Sequence, residues 1–203
     1  FGEFQRVLEW PKFLELVECR PDAFFIRQIR WRTPGPSVVK LNIDGCSKGN
    51  PGVSGGGGIL RNSEGCMVFA FSGYLGRCTS VQAEARALLI GLQLCEQQGF
   101  MGNLVVETVS LLLQRILARS YRCPWSVRGE VEKIEQMTQG GLQIAHCYRE
   151  ANKVADVLAN IGSTHPSHSV CMYDSISGLP SMARGEYRMD KFAYPSFRRD
   201  MVL

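Results

Sequence analysis

Between Val39 and Asp44 apolar and polar residues alternate without a break. Val39, Leu41 and Ile43 take one side; Lys40, Asn42 and Asp44 take the other. Successive side chains of a strand point to opposite faces, so VVKLNID predicts a half-buried β-strand. GCSKGNPGVSGG reads as a glycine-rich turn, and GGGGIL and CMVFAFSGYL as two more strands joined by a hairpin at RNSEG. From Val81 to Gln98 the period changes. Val81, Ala85, Leu88, Leu92 and Cys95 recur at spacings of three and four, with Leu89 alongside, which predicts a helix. Gly91 interrupts it at a cost of about 1 kcal/mol relative to Ala, a cost that close packing against a sheet would explain. NLVVET reads as a fourth strand, SLLLQRILARS as a second helix and GEVEKIEQM as a short polar third. GLQIAHCYRE reads as a fifth strand, and NKVADVLANIG as a last helix with Val154, Leu158 and Ile161 on one stripe.

The resulting order is β-β-β-α-β-α-α-β-α. Short turns make the first three strands antiparallel, and helical crossovers deliver the later ones, so the expected fold is α/β, a five-stranded mixed sheet with helices on its faces. TPGPS (33–37) is a linker, because each proline pushes the residue before it out of helix. It closes an N-terminal extension (1–37), in which KFLELVE has helical character, and opens the domain at 38–162. The tail, 163–203, mixes turn-formers, basic residues and aromatics without a period, and is expected to be partly ordered, disordered or docked on a partner. The chain starts at Phe1 rather than Met, which reads as a fragment of a longer frame.

Composition changes this picture little. The 203 residues are 45% hydrophobic and 21% charged, ordinary for a globular protein. The net charge of +4 permits a polyanionic partner without demanding one. No apolar run is long enough to span a bilayer, so no membrane partner is expected. The eight cysteines are scattered, with no C-x-x-C pair, and read as small buried hydrophobes in a reducing compartment, nucleus or cytoplasm. His165 and His168 have no cysteine partners at zinc-finger spacing.

Three acids stand on elements that look buried. Asp44 ends the first strand, Glu84 lies one turn ahead of Leu88 near the inward stripe of the first helix, and Asp156 lies between Ala155 and Val157 in the last helix. Carboxylates are rarely buried unless paired or bound to metal. Acids that converge repel one another, and a divalent cation relieves the repulsion. Oxygen ligands suit Mg²⁺, and two such ions would clamp both oxygens of a phosphodiester displacement. Each acid also has an ordinary role open to it: a turn cap for Asp44, an exposed helix charge for Glu84, a helix-surface acid for Asp156.

LNIDGCSKGNPGVSGGGGILRNSEG closely resembles the opening of type 1 ribonuclease H domains, a strand with a catalytic Asp followed by a turn containing G-N-P-G. TSVQAEARALLIGLQ resembles the family's first helix with its catalytic Glu. VVETVS resembles the fourth strand, which in the family ends T-D-S, and HCYREANKVADVLAN resembles the final strand and helix with the last Asp. The resemblance covers about 38–162. Its wording is most like the domains attached to plant non-LTR retrotransposon reverse transcriptases, which often carry a tryptophan where Trp31 stands.

The resemblance implies hydrolysis of the RNA strand of an RNA–DNA hybrid, with Asp44, Glu84 and Asp156 as catalytic metal ligands for two Mg²⁺ ions, or Mn²⁺. Asn50 would meet the minor groove of the hybrid, and Ser80 the substrate strand. Implied partners are a hybrid or structured RNA and a fused reverse transcriptase or other domain. His146, the histidine nearest the last helix, is either catalytic or a strand-end residue. The basic protrusion that some members use to grip hybrids has no room in SYRCPWSVRG, so weak binding is expected, with Arg115, Arg119, Arg122 and Arg128 supplying charge.

The departure from the pattern is Val109, which stands where the fourth carboxylate belongs and cannot ligate metal. Glu107 shares its face of the strand, but two strand residues span about 6–7 Å, too far for a simple replacement. Thr108 and Ser110 carry no charge. The expectations are therefore impaired hydrolysis, doubtful ion occupancy or, alternatively, an inactive nucleic-acid-binding or interaction module.

Overall fold

The computed structural model describes residues 24–139, 141–167 and 169–201. The helical reading of KFLELVE, Cys19 and His168 lie outside them. The described residues divide into two compact units, 29–196 and a smaller one to which 24–28 and 197–201 belong. Strands β1 (Phe24–Ile29) and β8 (Ser196–Met201) form a two-stranded sheet. Its ends are tied by the Arg27–Asp200 ion pair at 3.0 Å and by Arg199 stacked 3.8 Å over Phe24.

The larger unit is organised by a mixed sheet. Strands β2 (Val39–Lys48), β3 (Gly52–Arg61) and β4 (Met67–Cys78) form an antiparallel meander. Helix α1 (Ser80–Gln97) crosses over to β5 (Leu104–Thr108), which lies parallel to β2. Helices α2 (Leu111–Leu117) and α3 (Arg128–Thr138) lead to β6 (Gln143–His146), parallel to β5, and α4 (Lys153–Gly162) follows. The helix starts where its chemistry says it should: Thr79 caps α1, accepting from the Gln82 backbone, while the Gln82 side chain accepts from the Thr79 backbone. Gly91 sits where a Cβ would lie 2.9 Å from Leu41, so close packing does account for it. Leu41, Ile43, Phe71, Leu88, Leu92, Val106, Leu113 and Ile134 fill the core between the sheet and α1–α3.

The sheet has six strands, not five, in the order β6-β5-β2-β3-β4-β7. The sixth, β7 (Val170–Tyr173), comes from the segment after Gly162 and pairs antiparallel with β4. Four residues at a sheet edge are too few to set a visible period. Helix α5 (Ser181–Lys191) follows it, and Leu179, Ala183 and Tyr187 join Ile59, Ala70, Val154 and Leu158 in a second core on the opposite face of the sheet. That stretch reads as turn-rich tail because its apolar residues are set among turn-formers and charges without a period.

The polar side of β2 also differs from the expected half-exposed strand, for Lys40, Asn42 and Asp44 are all buried. For Lys40 and Asn42, hydrogen bonds make that possible. Trp31 Nε1 donates to Asn42 Oδ1 at 2.8 Å and Arg61 Nη2 to the same oxygen at 2.7 Å. Asn42 Nδ2 and Lys40 Nζ both donate to the Glu107 carboxylate. Arg61 lies 3.5 Å over the Trp31 ring and pairs with Asp190 of α5 at 2.7 Å. One buried polar network thus joins the linker, the sheet and the last helix.

Candidate nucleic-acid-processing site

Two close approaches bring the three predicted acids together. A Cβ built on Gly45 would lie 2.3 Å from the backbone of Ala83 and Glu84, so only glycine lets α1 rest on β2 at that point. This seats Glu84, a buried residue, at the end of the sheet. On the other face a Cβ on Gly57 would lie 2.3 Å from the Ala159 nitrogen, so α4 rests directly on the backbone of β3. Asn152, buried just ahead of α4, donates from Nδ2 to the Ile43 carbonyl at 2.9 Å. It fixes the first turn of α4, and with it Asp156, over the end of β2.

The Asp156 charge acts on Asp44, and the Asp44 charge acts on Glu84. Burial first, then the Asp156 charge, raises Asp44 to about 7. Burial first, then Asp44, holds Glu84 well above the usual carboxylate range. Asp44 is 1% exposed, and its Oδ1 has no hydrogen-bond partner. An orphaned, buried carboxylate oxygen among like charges is what a hard cation would satisfy. Among the described residues no three Asp, Glu, His or Cys side chains close round a single point. An ion held here would have to take most of its shell from water or phosphate, as Mg²⁺ can.

Val109 follows the last paired residue of β5, Thr108, whose partner on β2 is Ile43. It lies in a bend just past the strand, one residue beyond the rung that precedes Asp44, and it is half-buried. Its neighbours have other work. Thr108 Oγ1 donates to Glu84 Oε2 at 3.4 Å, and the Ser110 hydroxyl caps α2 by accepting from Leu113 N. Glu107 belongs to the Asn42–Lys40 network.

Asn50 and Ser80 meet, the Ser80 backbone N–H donating to Asn50 Oδ1 at 3.0 Å, and both are exposed. Nearby, Gln82 Nε2 donates to the Ser126 carbonyl at 2.6 Å and ties the loop between α2 and α3 to the start of α1. Trp125 on that loop is 90% exposed. Of the four arginines read as a basic supply, Arg119 pairs with Glu135 and Arg128 with Glu132. Arg115 and Arg122 are exposed without a described acidic partner. His146 ends β6 and meets Tyr148 edge-on, with ring centroids 6.0 Å apart. His165 lies elsewhere, 2.6 Å from the Ser72 hydroxyl.

Sequence reading missed Arg149. Its Nε lies 3.9 Å from Asp156 Oδ1, and its charge lowers both Asp44 and Glu84. An arginine in a polar loop looks like any solvated charge, and only the fold shows that it faces the acids.

A meander followed by parallel strands, with acids from β2, α1 and α4 meeting at the sheet's end, defines a ribonuclease H-like domain. The chain belongs to the reverse transcriptase-like family, whose sequence profile matches residues 42–162. It is 36% identical over 143 residues to an Arabidopsis thaliana protein named for ribonuclease H, covering 66% of this chain and 22% of that one. With ribonuclease HI of Halobacterium salinarum it shares 32% identity over 125 residues, 60% of this chain and 62% of the other. The chain thus spans about a fifth of the plant relative's length and under two thirds of the archaeal one. The crystal structure of ribonuclease H1 from Halobacterium salinarum matches with a TM-score of 0.59 at 29% identity, over 62% of this chain and 97% of that one. LC11 ribonuclease H1, solved with an RNA/DNA hybrid, matches with a TM-score of 0.57 at 27% identity, over 61% and 94%.

Proposed function

We propose that this domain binds RNA–DNA hybrids and that its metal-dependent hydrolysis of the RNA strand is impaired by Val109. What supports this reading is that the buried Asp44 carboxylate feels the Asp156 charge and Glu84 feels that of Asp44, while the position after β5 carries a valine. A bound Mg²⁺ would supply a polarised water and charge stabilisation at the phosphodiester. Asp44, Glu84 and Asp156 are the residues that would hold it. The exposed Asn50 amide and Ser80 hydroxyl offer polar atoms to a 2′-hydroxyl, the group that distinguishes RNA. Trp125, with Arg122 on the same loop, adds an aromatic face and charge. With two of four arginines paired to acids, affinity should be modest and fall with salt. The relationship to a hybrid-bound ribonuclease H1 supports the same substrate.

A second reading keeps the binding and drops the chemistry: an inactive nucleic-acid-binding or interaction module within a longer retrotransposon-derived chain, with a reverse transcriptase or other domain as its neighbour. Val109 is what favours it. Cleavage of a labelled hybrid in Mg²⁺ or Mn²⁺, comparing this chain with Val109→Asp, separates the two. We expect the variant to cut at least about 100-fold faster. Equal rates would overturn the impairment, and failure of both to bind hybrid would overturn the function.

A further inference from the structure

The two-stranded ribbon of β1 and β8 has two unlike faces. Side chains alternate along a strand, so Phe25 and Arg27 share one face of β1 and Phe24 and Ile26 the other. On the first face Arg27 pairs with Asp200 at 3.0 Å and lies over the Phe25 ring, and Arg198 pairs with the other Asp200 oxygen at 2.9 Å. Its charges are answered within the ribbon. The second face is defined by Arg199, whose guanidinium lies 3.8 Å from the centre of the Phe24 ring. That contact puts Phe197 and Arg199 of β8 on the same side as Phe24 and Ile26 of β1. Here Phe24 is 47% exposed, Ile26 62% and Phe197 63%. Arg199 is exposed as well, and among the described residues it has no acidic partner.

We propose that this second face binds single-stranded DNA, with bases stacking on Phe24 and Phe197 and a phosphate pairing with Arg199. Charge selects a polyanion. The described part of this unit sets Arg27, Arg198 and Arg199 against Asp200 alone, and Asp200 is already shared by Arg27 and Arg198. An apolar protein surface laid on the face would bury the Arg199 charge without a partner, which is costly. A phosphate beside a stacked base supplies that partner in the geometry a guanidinium prefers. Arg199 already lies on an aromatic ring, the arrangement in which arginine also stacks on bases. A duplex fits less well. Its bases are stacked on one another, so exposed rings meet only its backbone, whereas an unpaired base has a free π-face. The side chains around Arg199 on this face, Phe24, Ile26 and Phe197, carry no polar atom. Nothing on them rewards a 2′-hydroxyl, which makes DNA the matching strand. None of these residues belongs to the carboxylate site.

The test is fluorescence anisotropy of a short labelled oligothymidylate with the full chain, comparing the parent with Phe24→Ala, Phe197→Ala, Arg199→Gln and Arg199→Lys. Lys133→Gln, which removes an exposed charge on α3, is the control. All of these side chains are exposed, so the variants keep the fold. Expected is a loss of affinity of at least about fivefold in Phe24→Ala, Phe197→Ala and Arg199→Gln, the scale of one stacked base. Arg199→Lys keeps the charge without the plane and should lose less. Lys133→Gln should lose less than about twofold. A blunt DNA duplex should compete at least about fivefold less well per nucleotide than unlabelled oligothymidylate. Parent-like affinity in Phe197→Ala and Arg199→Gln overturns the proposal, as do an equal loss in Lys133→Gln, equal competition by the duplex, or no binding by the parent. Oligouridylate bound about tenfold more tightly than oligothymidylate would make this an RNA surface and overturn the assignment to DNA. Sedimentation in which the parent self-associates and Phe197→Ala does not would make the face a contact between copies and overturn it too.

Discussion

Asn42 donates from its side-chain amide to Glu107 Oε2 at 2.9 Å, while Lys40 takes the other carboxylate oxygen. That pair of bonds removes the one acid that could have replaced the missing carboxylate. Glu107 lies in β5 two residues before Val109, which follows the strand, and both its oxygens are committed to Lys40 and Asn42. Glu107→Gln should therefore act on stability rather than on metal. Lys40 is buried and would lose its counter-ion, so urea unfolding should show a loss of about 3 kcal/mol. Mn²⁺ affinity should stay at the parent value. A fall in that affinity with stability retained would make Glu107 a ligand.

The raised Asp44 and Glu84 carboxyls make stability depend on pH in a stated direction. Folded Asp44 titrates at about 7 against an ordinary value of 3.8, because of burial and then the Asp156 charge. Between those values the folded chain holds a proton that the unfolded chain has released. Stability linked to this group is thus full below about pH 4, falls as pH rises towards 7, and stays low above it. Glu84 adds to the same slope. Thermal melts in a chelating buffer should show Asp44→Asn more stable than the parent at pH 8, on the order of 2 kcal/mol, with the difference closing by pH 4. A constant difference across that range would mean that Asp44 is not raised.

Much of this was legible in the chain, and the reasons differ from element to element. The alternation of VVKLNID showed which residues share a face, and the acids followed from it. Alternation cannot show what covers the polar face, and here Trp31 and Arg61 cover it from positions 11 residues before and 19 after Asn42. The helix α1 announced itself by its period, and its capping box, Thr79 with Gln82, came with the structure. The elements after Gly162 were illegible because β7 has four residues and α5 buries little beyond Ala183 and Tyr187. Val109 stood out only against a family pattern, and Arg149 had no signal of its own, since its meaning depends on where α4 lies.

The position of α4 depends in turn on a strand residue with no side chain. At Gly57 a Cβ would lie 2.3 Å from the Ala159 nitrogen and 2.5 Å from the Leu158 carbonyl carbon, both backbone atoms that cannot step aside. Gly57→Ala must lift α4 from the sheet, opening the core around Val154 and Leu158 and moving Asp156 away from Asp44. Overpacking of this kind costs about 3 kcal/mol. At Gly129, in the first turn of α3, an added Cβ meets nothing within 4 Å. Alanine there restores helix propensity and should stabilise by about 0.5–1 kcal/mol. The same substitution is thus expected to have opposite signs at two positions, measured by urea unfolding of both variants against the parent. Gly57→Ala should also lose Mn²⁺ binding wherever the parent shows it, while Gly129→Ala keeps it. A Gly57→Ala protein as stable as the parent would mean that α4 does not rest on the β3 backbone and that the site is not assembled by that contact.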